Sequence, residues 1–320
     1  MKMLVTGGAG FIGSNFIHYI LNKYPDYKIV NLDKLTYAGN LDNLKEVETR
    51  FKDRYEFIKG DICDQILVDK IMNSVDLVVN FAAESHVDRS IENPDSFLET
   101  NILGTHSLLK SALKHGNKRF HHISTDEVFG TLSIDNLEEK FNENTPYNPR
   151  SPYSASKASA DHLVNAYFHT YGLPTTISNC SNNYGPYQFP EKIIPLFILN
   201  ALNDQPLPIY GDGKCIRDYI FVTDHCRAID LVIHNGKMGE KYCFGGNNEM
   251  NAIQIADTIL ETLQKPFTLK EFVKDRPGHD LRYAIDFSKA KKELGWEPLV
   301  TFRDGIKKTI AWYKNNEEWY

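Results

Sequence analysis

A short apolar run, Met3, Leu4, Val5 and Thr6, breaks into glycines at 7, 10 and 13, and apolar residues at helical spacing follow at Phe16, Ile17, Ile20 and Leu21. This pattern constrains the fold more than any other in the chain. A strand that turns straight into a helix through positions without side chains lets the backbone approach a pyrophosphate at the helix N-terminus. The spacing is GxxGxxG rather than GxGxxG, and glycine spacing alone is a weak signal. The strand before it and the helix after it give it weight. Gly7, Gly10, Phe11, Ile12 and Gly13 are therefore the first candidate cofactor-binding residues.

The next segments extend the same pattern. Residues 27–32 read as a second strand that ends at Asp33, about twenty residues past the glycine turn, where a carboxylate accepts hydrogen bonds from an adenosine ribose. It also repels a 2'-phosphate, which points to NAD rather than NADP. The alternative is an ordinary solvated turn aspartate. Lys34 follows it at the same edge. Residues 55–62 read as a third strand, with Asp61 and Ile62 at its end to hold an adenine edge. Residues 76–83 are nearly all apolar, as a buried parallel strand should be. Ala82 and Ala83 are small enough to let a cofactor pass over its end, and Ser85 and His86 come next, beside the nicotinamide ribose and the substrate. A helix is expected over 94–115, carrying Thr100, a further cofactor contact, and Asn101; residues 120–125 are the fifth strand. Alternating strands and helices define an α/β fold: a Rossmann-type doubly wound parallel sheet, with ligands outside the carboxyl ends of the strands, and a smaller mixed α/β substrate domain.

Length and charge set the outer bounds. A chain of 320 residues makes one large domain or two modest ones. The net charge of -6 argues against a basic nucleic-acid footprint. The five cysteines form no CxxC pair, and their number and spacing fit a reducing cytoplasm better than a disulfide framework. No apolar run is long enough to cross a bilayer. The first strand begins at Lys2, leaving no room for a signal peptide. No internal repeat, low-complexity tract or metal site stands out.

The chemistry-bearing residues fall at the end of the fifth strand and just beyond it. Tyr153 and Lys157 are one helical turn apart, so the ammonium favours the phenolate and the tyrosine becomes a base near neutral pH. The YxxxK pattern is nearly worthless alone, for it recurs at Tyr19/Lys23, Tyr24/Lys28, Tyr55/Lys59 and Tyr210/Lys214. Position singles out Tyr153: it follows a loop with Pro146, Pro149 and Pro152, a helix-start signal, and opens a helix rich in alanine and serine that ends near Gly172. Asp126 and Glu127 follow the apolar strand and precede Val128 and Phe129. Two charges at a strand-to-loop junction are usually solvated, but these neighbours imply partial burial. Buried adjacent carboxyls push their proton affinities apart, leaving an acid and a base. Thr125 can hydrogen-bond the oxygen that Tyr153 deprotonates.

The segments GGAGFIG, FAAESHVDRSI, STDEVFG, SPYSASKASAD, SNCSNNYGPYQFPEKIIPL, YGDGKCIRDYIFVTDH and DRPGHDLRY span most of the chain. They resemble the extended short-chain dehydrogenase/reductase family and, within it, the nucleotide-sugar 4,6-dehydratases acting on dTDP-glucose. Epimerases of that family usually lack the Asp-Glu pair. The resemblance implies that Tyr153 takes the proton of the carbon 4 hydroxyl while hydride passes to NAD. Glu127 then removes the carbon 5 hydrogen, Asp126 protonates the hydroxyl leaving carbon 6, and hydride returns to carbon 6. It further implies a homodimer paired through two helices per subunit, at 94–115 and 153–171, and a product destined for deoxysugars such as rhamnose.

The C-terminal half then reads as a sugar-nucleotide clamp. The expected division is 1–180 for the NAD-binding domain, with a returning segment near 219–245, and 181–320 for sugar-nucleotide binding. Asn182 and Asn183 precede a turn-rich loop, with Asn182 toward substrate and Asn183 toward cofactor. Lys192 is a phosphate contact. Leu207, Pro208, Ile209 and Tyr210 form an apolar strand able to lie against a pyrimidine base. Arg217 and Arg276, alone more readily surface charges, become diphosphate ligands through their family-matching segments; His279 and Tyr283 join the same loop. Ala252 stands where the family usually has asparagine, and neighbouring Asn251 is the candidate replacement. Two other readings remain: a nucleotide-sugar epimerase or decarboxylase of the same fold, and a non-catalytic NAD sensor, which has no need of the four ionisable residues together.

Overall fold

The structure, a computed structural model, describes residues 1–275 and 280–319. Among these residues there are twelve strands: β1 Lys2–Thr6, β2 Lys28–Asp33, β3 Tyr55–Lys59, β4 Leu77–Asn80, β5 Arg119–Thr125, β6 Thr175–Cys180, β7 Asn182–Tyr184, β8 Leu207–Tyr210, β9 Ile216–Phe221, β10 Lys241–Phe244, β11 Glu249–Asn251 and β12 Lys270–Val273. Seven form one sheet in the order β10-β6-β5-β4-β1-β2-β3, and every neighbouring pair in it is parallel. The order reverses between β1 and β4, the switch point at which such sheets open a ligand crevice.

Strand alternation divides the core in two. Met3 and Val5 of β1 and Leu77 and Val79 of β4 pack with Phe16, Ile17 and Ile20 of the helix Phe11–Lys23. Leu4 and Val78, pointing the other way, pack with Leu108, Leu109 and Val164. Both faces are thus covered by helices, which is why these strands are continuous apolar runs. The helix Val222–Asn235 adds Val222, Cys226 and Ile229 to the first face. It is clamped to the chain's first helix by Lys23 on Asp230, 2.6 Å apart. The last strand of the sheet, β10, follows that helix.

The glycine turn is close-packed. Gly7 has φ +68°, and a Cβ there would lie 2.7 Å from the backbone of Ala82. A Cβ on Gly13 would lie 2.4 Å from the Gly7 carbonyl oxygen. The turn can therefore seat its helix this tightly only without those side chains.

The helix Pro152–Tyr171 starts where its sequence says it should. The Ser151 side chain and Ser154 form a capping box, Pro152 occupies the first turn, and Gly172 closes the end at φ +68°. The expected helix over 94–115 is instead interrupted. A π-helical stretch, Leu98–Gly104, joins Asp95–Phe97 to Thr105–Lys114. The buried Asn101 amide explains the bulge. It accepts from Glu84 N (2.9 Å) and donates to Glu84 O (3.0 Å) and Ser156 Oγ (2.8 Å), stitching the loop after β4 to the helix that carries Tyr153.

The C-terminal elements form a second layer of structure around β7, β9 and β11 and the pair β8 and β12. Their core, with Phe197, Leu207, Ile209, Tyr219, Ile259 and Phe302, lies among the helices Ile193–Leu202, Ala252–Leu263 and Phe302–Asn315. Trp296, fully buried, donates its indole N–H to Asp224 O at 3.1 Å.

Gly13→Ala should lower thermal stability by about 1–3 kcal/mol, because the added methyl must displace backbone. A calorimetric scan of the purified variant measures it, and an unchanged midpoint would refute the packing argument.

Candidate active site

A cleft of about 600 Å³ opens along the carboxyl ends of β1 to β6 and continues into the C-terminal elements. Its first wall is the glycine turn. The helix Phe11–Lys23 has Gly10 as its N-cap, with no side-chain cap bond and no acidic residue in its first turn. Its leading N–H groups are thus available to an anion. Asp33 ends β2, nearly buried. Its Oδ2 accepts from Ala9 N at 2.9 Å and its Oδ1 from Leu35 N at 2.8 Å. Burial raises its pKa, and these two bonds partly offset the rise. Lys34 pairs with Asp61 at 2.6 Å, closing the edge beyond β2 and β3. An extended dinucleotide fits these residues: uncapped helix N–H groups for a pyrophosphate, a carboxylate at the end of β2 for ribose hydroxyls, and small side chains over β4.

Tyr153, Lys157, Thr125, Asp126 and Glu127 meet at the middle of the cleft. Thr125 ends β5 and caps the turn Asp126–Phe129, its hydroxyl accepting from Glu127 N at 3.3 Å. Asp126 is about 1% exposed and its Oδ2 has no hydrogen-bond partner. Burial first, then the charges of Glu127 and Asp218, push its pKa well above the usual carboxylate range. Burial and the neighbouring charges thus favour its neutral form beside the half-buried Glu127. Tyr153 is pushed well up in the same way, by burial and then by Glu127, against a hydrogen bond with Thr125 that lowers it. Lys157 is pushed down to about 8 by burial. Its ammonium donates to Ile123 O at 2.7 Å and lies 3.4 Å from His122 Nε2. Among the chain's own groups, then, burial and Glu127 favour the phenol form of Tyr153. The one-turn spacing by itself does not produce a phenolate.

The sequence-selected cofactor residues all line the cleft: Gly7, Gly10, Phe11, Ile12, Gly13, Asp33, Lys34, Asp61, Ile62, Ala82, Ala83, Ser85, Thr100 and Asn183, along with Tyr153 and Lys157. So do His86, Asn182, Lys192, Pro208, Tyr210, Arg217 and Tyr283. Lys192 donates to Ser85 O at 3.2 Å. The Arg217 guanidinium lies 4.2 Å from the Tyr283 ring centre and donates to Asp280 O.

Three candidates are not brought to the cleft. Leu207 and Ile209 are fully buried in the C-terminal core, because β8 turns alternate residues to opposite sides. Asn251 is engaged elsewhere, in a capping box with Gln254, accepting from Gln254 N at 2.9 Å. Ala252, not Asn251, faces the cleft. Arg276 and His279 lie outside the described residues.

Sequence reasoning passed over Glu84, Cys180, Gln188, Glu191 and Tyr219, which also line the cleft. All five sit inside the family-like segments, so the signal was their neighbourhood rather than their type. Glu191 gathers a polar cluster at the rim: Tyr37 OH donates to it at 3.2 Å, and Arg89 stacks on the Tyr37 ring at 3.6 Å.

A doubly wound sheet with this glycine turn and a helix-borne Tyr-Lys pair beside β5 defines an extended short-chain dehydrogenase/reductase, and the chain belongs to the GDP-mannose 4,6 dehydratase family, whose model matches residues 4–309. Within that family it is 52% identical over 348 residues to a dTDP-glucose 4,6-dehydratase of Escherichia coli, covering 100% of this chain and 95% of the relative. Among solved structures it resembles the dTDP-glucose 4,6-dehydratase DesIV of Streptomyces venezuelae, crystallised with NAD. There the TM-score is 0.96 at 46% identity, covering 100% of this chain and 99% of the other. It also resembles the UDP-glucose 4-epimerase of Thermotoga maritima, solved with UDP-glucose. That match has a TM-score of 0.90 at 29% identity, covering 99% of this chain and 100% of the other.

The acid at Asp126 carries a testable cost. A carboxyl with a raised folded pKa favours the native state fully below its unfolded pKa, and that advantage is lost as pH rises toward the folded value. Asp126→Asn should therefore leave the melting temperature near that of the parent at about pH 4 and raise it progressively toward about pH 7. A gain that does not depend on pH would mean that Asp126 is not held protonated.

Proposed function

We propose that the protein is a hydro-lyase that converts dTDP-glucose into dTDP-4-keto-6-deoxyglucose and water. The observation that carries this reading is the pair at the end of β5: a buried, neutral Asp126 next to Glu127, beside Thr125 and Tyr153. Oxidation and reduction at one carbon need only the Tyr-Lys pair. Elimination of water also needs a base for one carbon and an acid for the leaving hydroxyl.

Tyr153 takes the proton of the carbon 4 hydroxyl, which Thr125 orients. NAD held by the glycine turn and Asp33 would supply the hydride chemistry, uptake of the carbon 4 hydrogen and its return to carbon 6, and its positive charge would favour the Tyr153 phenolate. The ketone at carbon 4 acidifies the neighbouring carbon 5 hydrogen, and Glu127 removes that proton. Asp126 donates its proton to the carbon 6 hydroxyl, which departs as water. Carbon 5 regains a proton at the end, leaving the 4-keto-6-deoxy sugar. The glycine turn, Asp33, the Lys34–Asp61 pair, Ala82 and Ala83 hold NAD, and Asp33 disfavours a 2'-phosphate. Lys192 and Arg217 serve the diphosphate, with Pro208 and Tyr210 on the thymine; Leu207 and Ile209 support that strand from the core side.

The coarser organisation follows the same reading. Residues 1–180, with a returning segment near 219–245, bind NAD, and 181–320 bind the sugar nucleotide. The return is supported by β10 in the large sheet and by the helix Val222–Asn235 on its face. The chain acts as a homodimer paired through the helical stretches at 94–115 and 153–171. Exposed Leu98, Leu103 and Tyr171 on these stretches support that pairing. No helix among the described residues is long and apolar enough to cross a membrane. The enzyme works in the cytoplasm, and its product feeds deoxysugars such as rhamnose. Light scattering of purified protein tests the dimer: Leu103→Lys should shift the mass from two chains to one.

The second reading is the epimerase, favoured by the structural likeness at TM-score 0.90. Mass spectrometry with dTDP-glucose in deuterated water separates them. Dehydration removes one water and fixes one deuterium at carbon 5, whereas epimerisation leaves the sugar's atoms in number unchanged. Tyr153→Phe should lower turnover by about 10²–10⁴-fold. Glu127→Gln should stop deuterium entry at carbon 5 while some NADH still forms. Exchange at the parental rate in that variant would remove Glu127 from its role.

A further inference from the structure

Asp161 stands one helical turn past Lys157 on the helix Pro152–Tyr171, and the chemistry above leaves it unused. It is fully buried. Its Oδ2 accepts from Ser124 Oγ (2.8 Å), Tyr147 OH (2.9 Å) and Asn179 Nδ2 (3.2 Å). Burial raises its pKa, and the Lys157 charge together with these three donors works against that rise in favour of the carboxylate. Its Oδ1 takes none of these bonds and lies 3.5 Å from His122 Nε2. The same Nε2 is 3.4 Å from the Lys157 ammonium. The edge of one imidazole therefore stands between a buried cation and a buried carboxylate.

The orientation of that imidazole is set from the other side. Thr6 Oγ1 donates to Asn80 Oδ1 at 2.6 Å, leaving the Asn80 amide to donate to Thr105 Oγ1 and to His122 Nδ1, each at 3.2 Å. With Nδ1 engaged by Asn80, the Nε2 edge of the ring is the one that faces both Lys157 and Asp161. Burial, then the Lys157 charge, hold the His122 pKa well below its ordinary value, so the ring is neutral.

We propose that Asp161, one turn past Lys157 and across the edge of His122 from it, is the positioning residue of this site: it supplies the buried negative charge that holds the Lys157 ammonium in place one turn from Tyr153. The proposal rests on reading Tyr153 and Lys157 as the proton-transfer pair. An ammonium sealed from water sheds its proton unless a carboxylate answers it. Among the described residues, the titratable groups set around this pair include His122 from β5, the Cys180 thiol from β6 and Tyr147, whose hydroxyl donates to Asp161. Beyond Asp161, the Lys241 ammonium of β10 lies 4.5 Å from the centre of the Tyr147 ring. Asp161 is the largest influence opposing the loss of the Lys157 proton.

The test is thermal denaturation of the full chain, with Asp161→Asn, Lys157→Met and the double variant, across pH 6 to 10. The gap in melting temperature between parent and Asp161→Asn should be widest at low pH. It should narrow as pH rises through about 8, where Lys157 loses its proton. In the Lys157→Met background the gap should be smaller and flat. A gap that is equal at every pH, or equal in both backgrounds, overturns the proposal. This readout needs no turnover, so a pH-dependent gap in a protein inactive on dTDP-glucose would sink the dehydratase reading and leave this one standing. In the active protein, the alkaline limb of the Asp161→Asn kcat profile should move to lower pH. Turnover should fall about tenfold for each unit of displacement and recover on acidification, with KM unchanged. A low kcat with an unmoved limb overturns the proposal. If Asp161→Asn does not fold, Tyr147→Phe removes one donor from the same carboxylate. Asp161 then keeps its proton to higher pH, so the acid limb of the kcat profile should move up while the alkaline limb stays. Both limbs at their parental positions would overturn the proposal.

Discussion

A cation is hard to keep beneath a parallel sheet, and the structure around Lys157 is arranged to do so. Among the buried polar residues of the sheet, one line runs across its strands. Thr6, Asn80 and His122 sit side by side on β1, β4 and β5 in direct register, and hydrogen bonds link them. Asn179 on β6 continues the line to Thr125 O (3.1 Å) and to Asp161. Each is a buried polar group that would be costly without a partner, and each has one. The line runs at the carboxyl ends of the strands, just under the cleft. Thr6, directly ahead of the glycine turn, also accepts from Ala82 N at 3.4 Å. The glycine turn and the strand beneath Lys157 thus share one hydrogen-bonded floor.

How much of this is visible in the chain depends on whether a local rule or a tertiary contact decides it. β1 and β4 are legible because burial on both faces makes them largely apolar runs, and the start of the helix at Pro152 is legible because its cap is a local motif. The strand ends were read too long: β3 stops at Lys59 and β4 at Asn80, short of Ile62 and Ala83. Past those points the backbone turns to line the cleft instead of pairing. The π-helical stretch at Leu98–Gly104 could not be read, since it exists to satisfy the Asn101 amide against Glu84 and Ser156, partners 17 and 55 residues away.

Two misplacements had signals that were present and unused. Leu207 and Ile209 alternate with Pro208 and Tyr210, so a strand with one face on the cleft must bury the other pair. Asn251 precedes Gln254 by three residues ahead of an apolar helix, which is a capping-box pattern, and a side chain spent on a cap is not free for a ligand. The phenolate expectation for Tyr153 depends on more than spacing. Spacing along a helix says that two groups are near, but the protonation of Tyr153 is decided by its loss of water and by a carboxyl from another segment.

That carboxyl links the two halves of the proposed chemistry. After burial, the Glu127 charge is the largest influence raising the pKa of both Asp126 and Tyr153, and of Tyr283 as well. While Glu127 is ionised, Asp126 keeps its proton. When Glu127 takes the hydrogen from carbon 5 it becomes neutral, and the repulsion holding that proton on Asp126 disappears. Asp126 becomes a stronger acid at the moment the carbon 6 hydroxyl must leave. Two adjacent carboxyls in one dry pocket therefore couple deprotonation at one carbon to protonation at the next, which a carboxyl placed elsewhere in the cleft would not do. The Tyr-Lys pair serves oxidation and reduction on its own. Placing a second acid and base in direct sequence at the end of β5 lets the same sheet support an elimination.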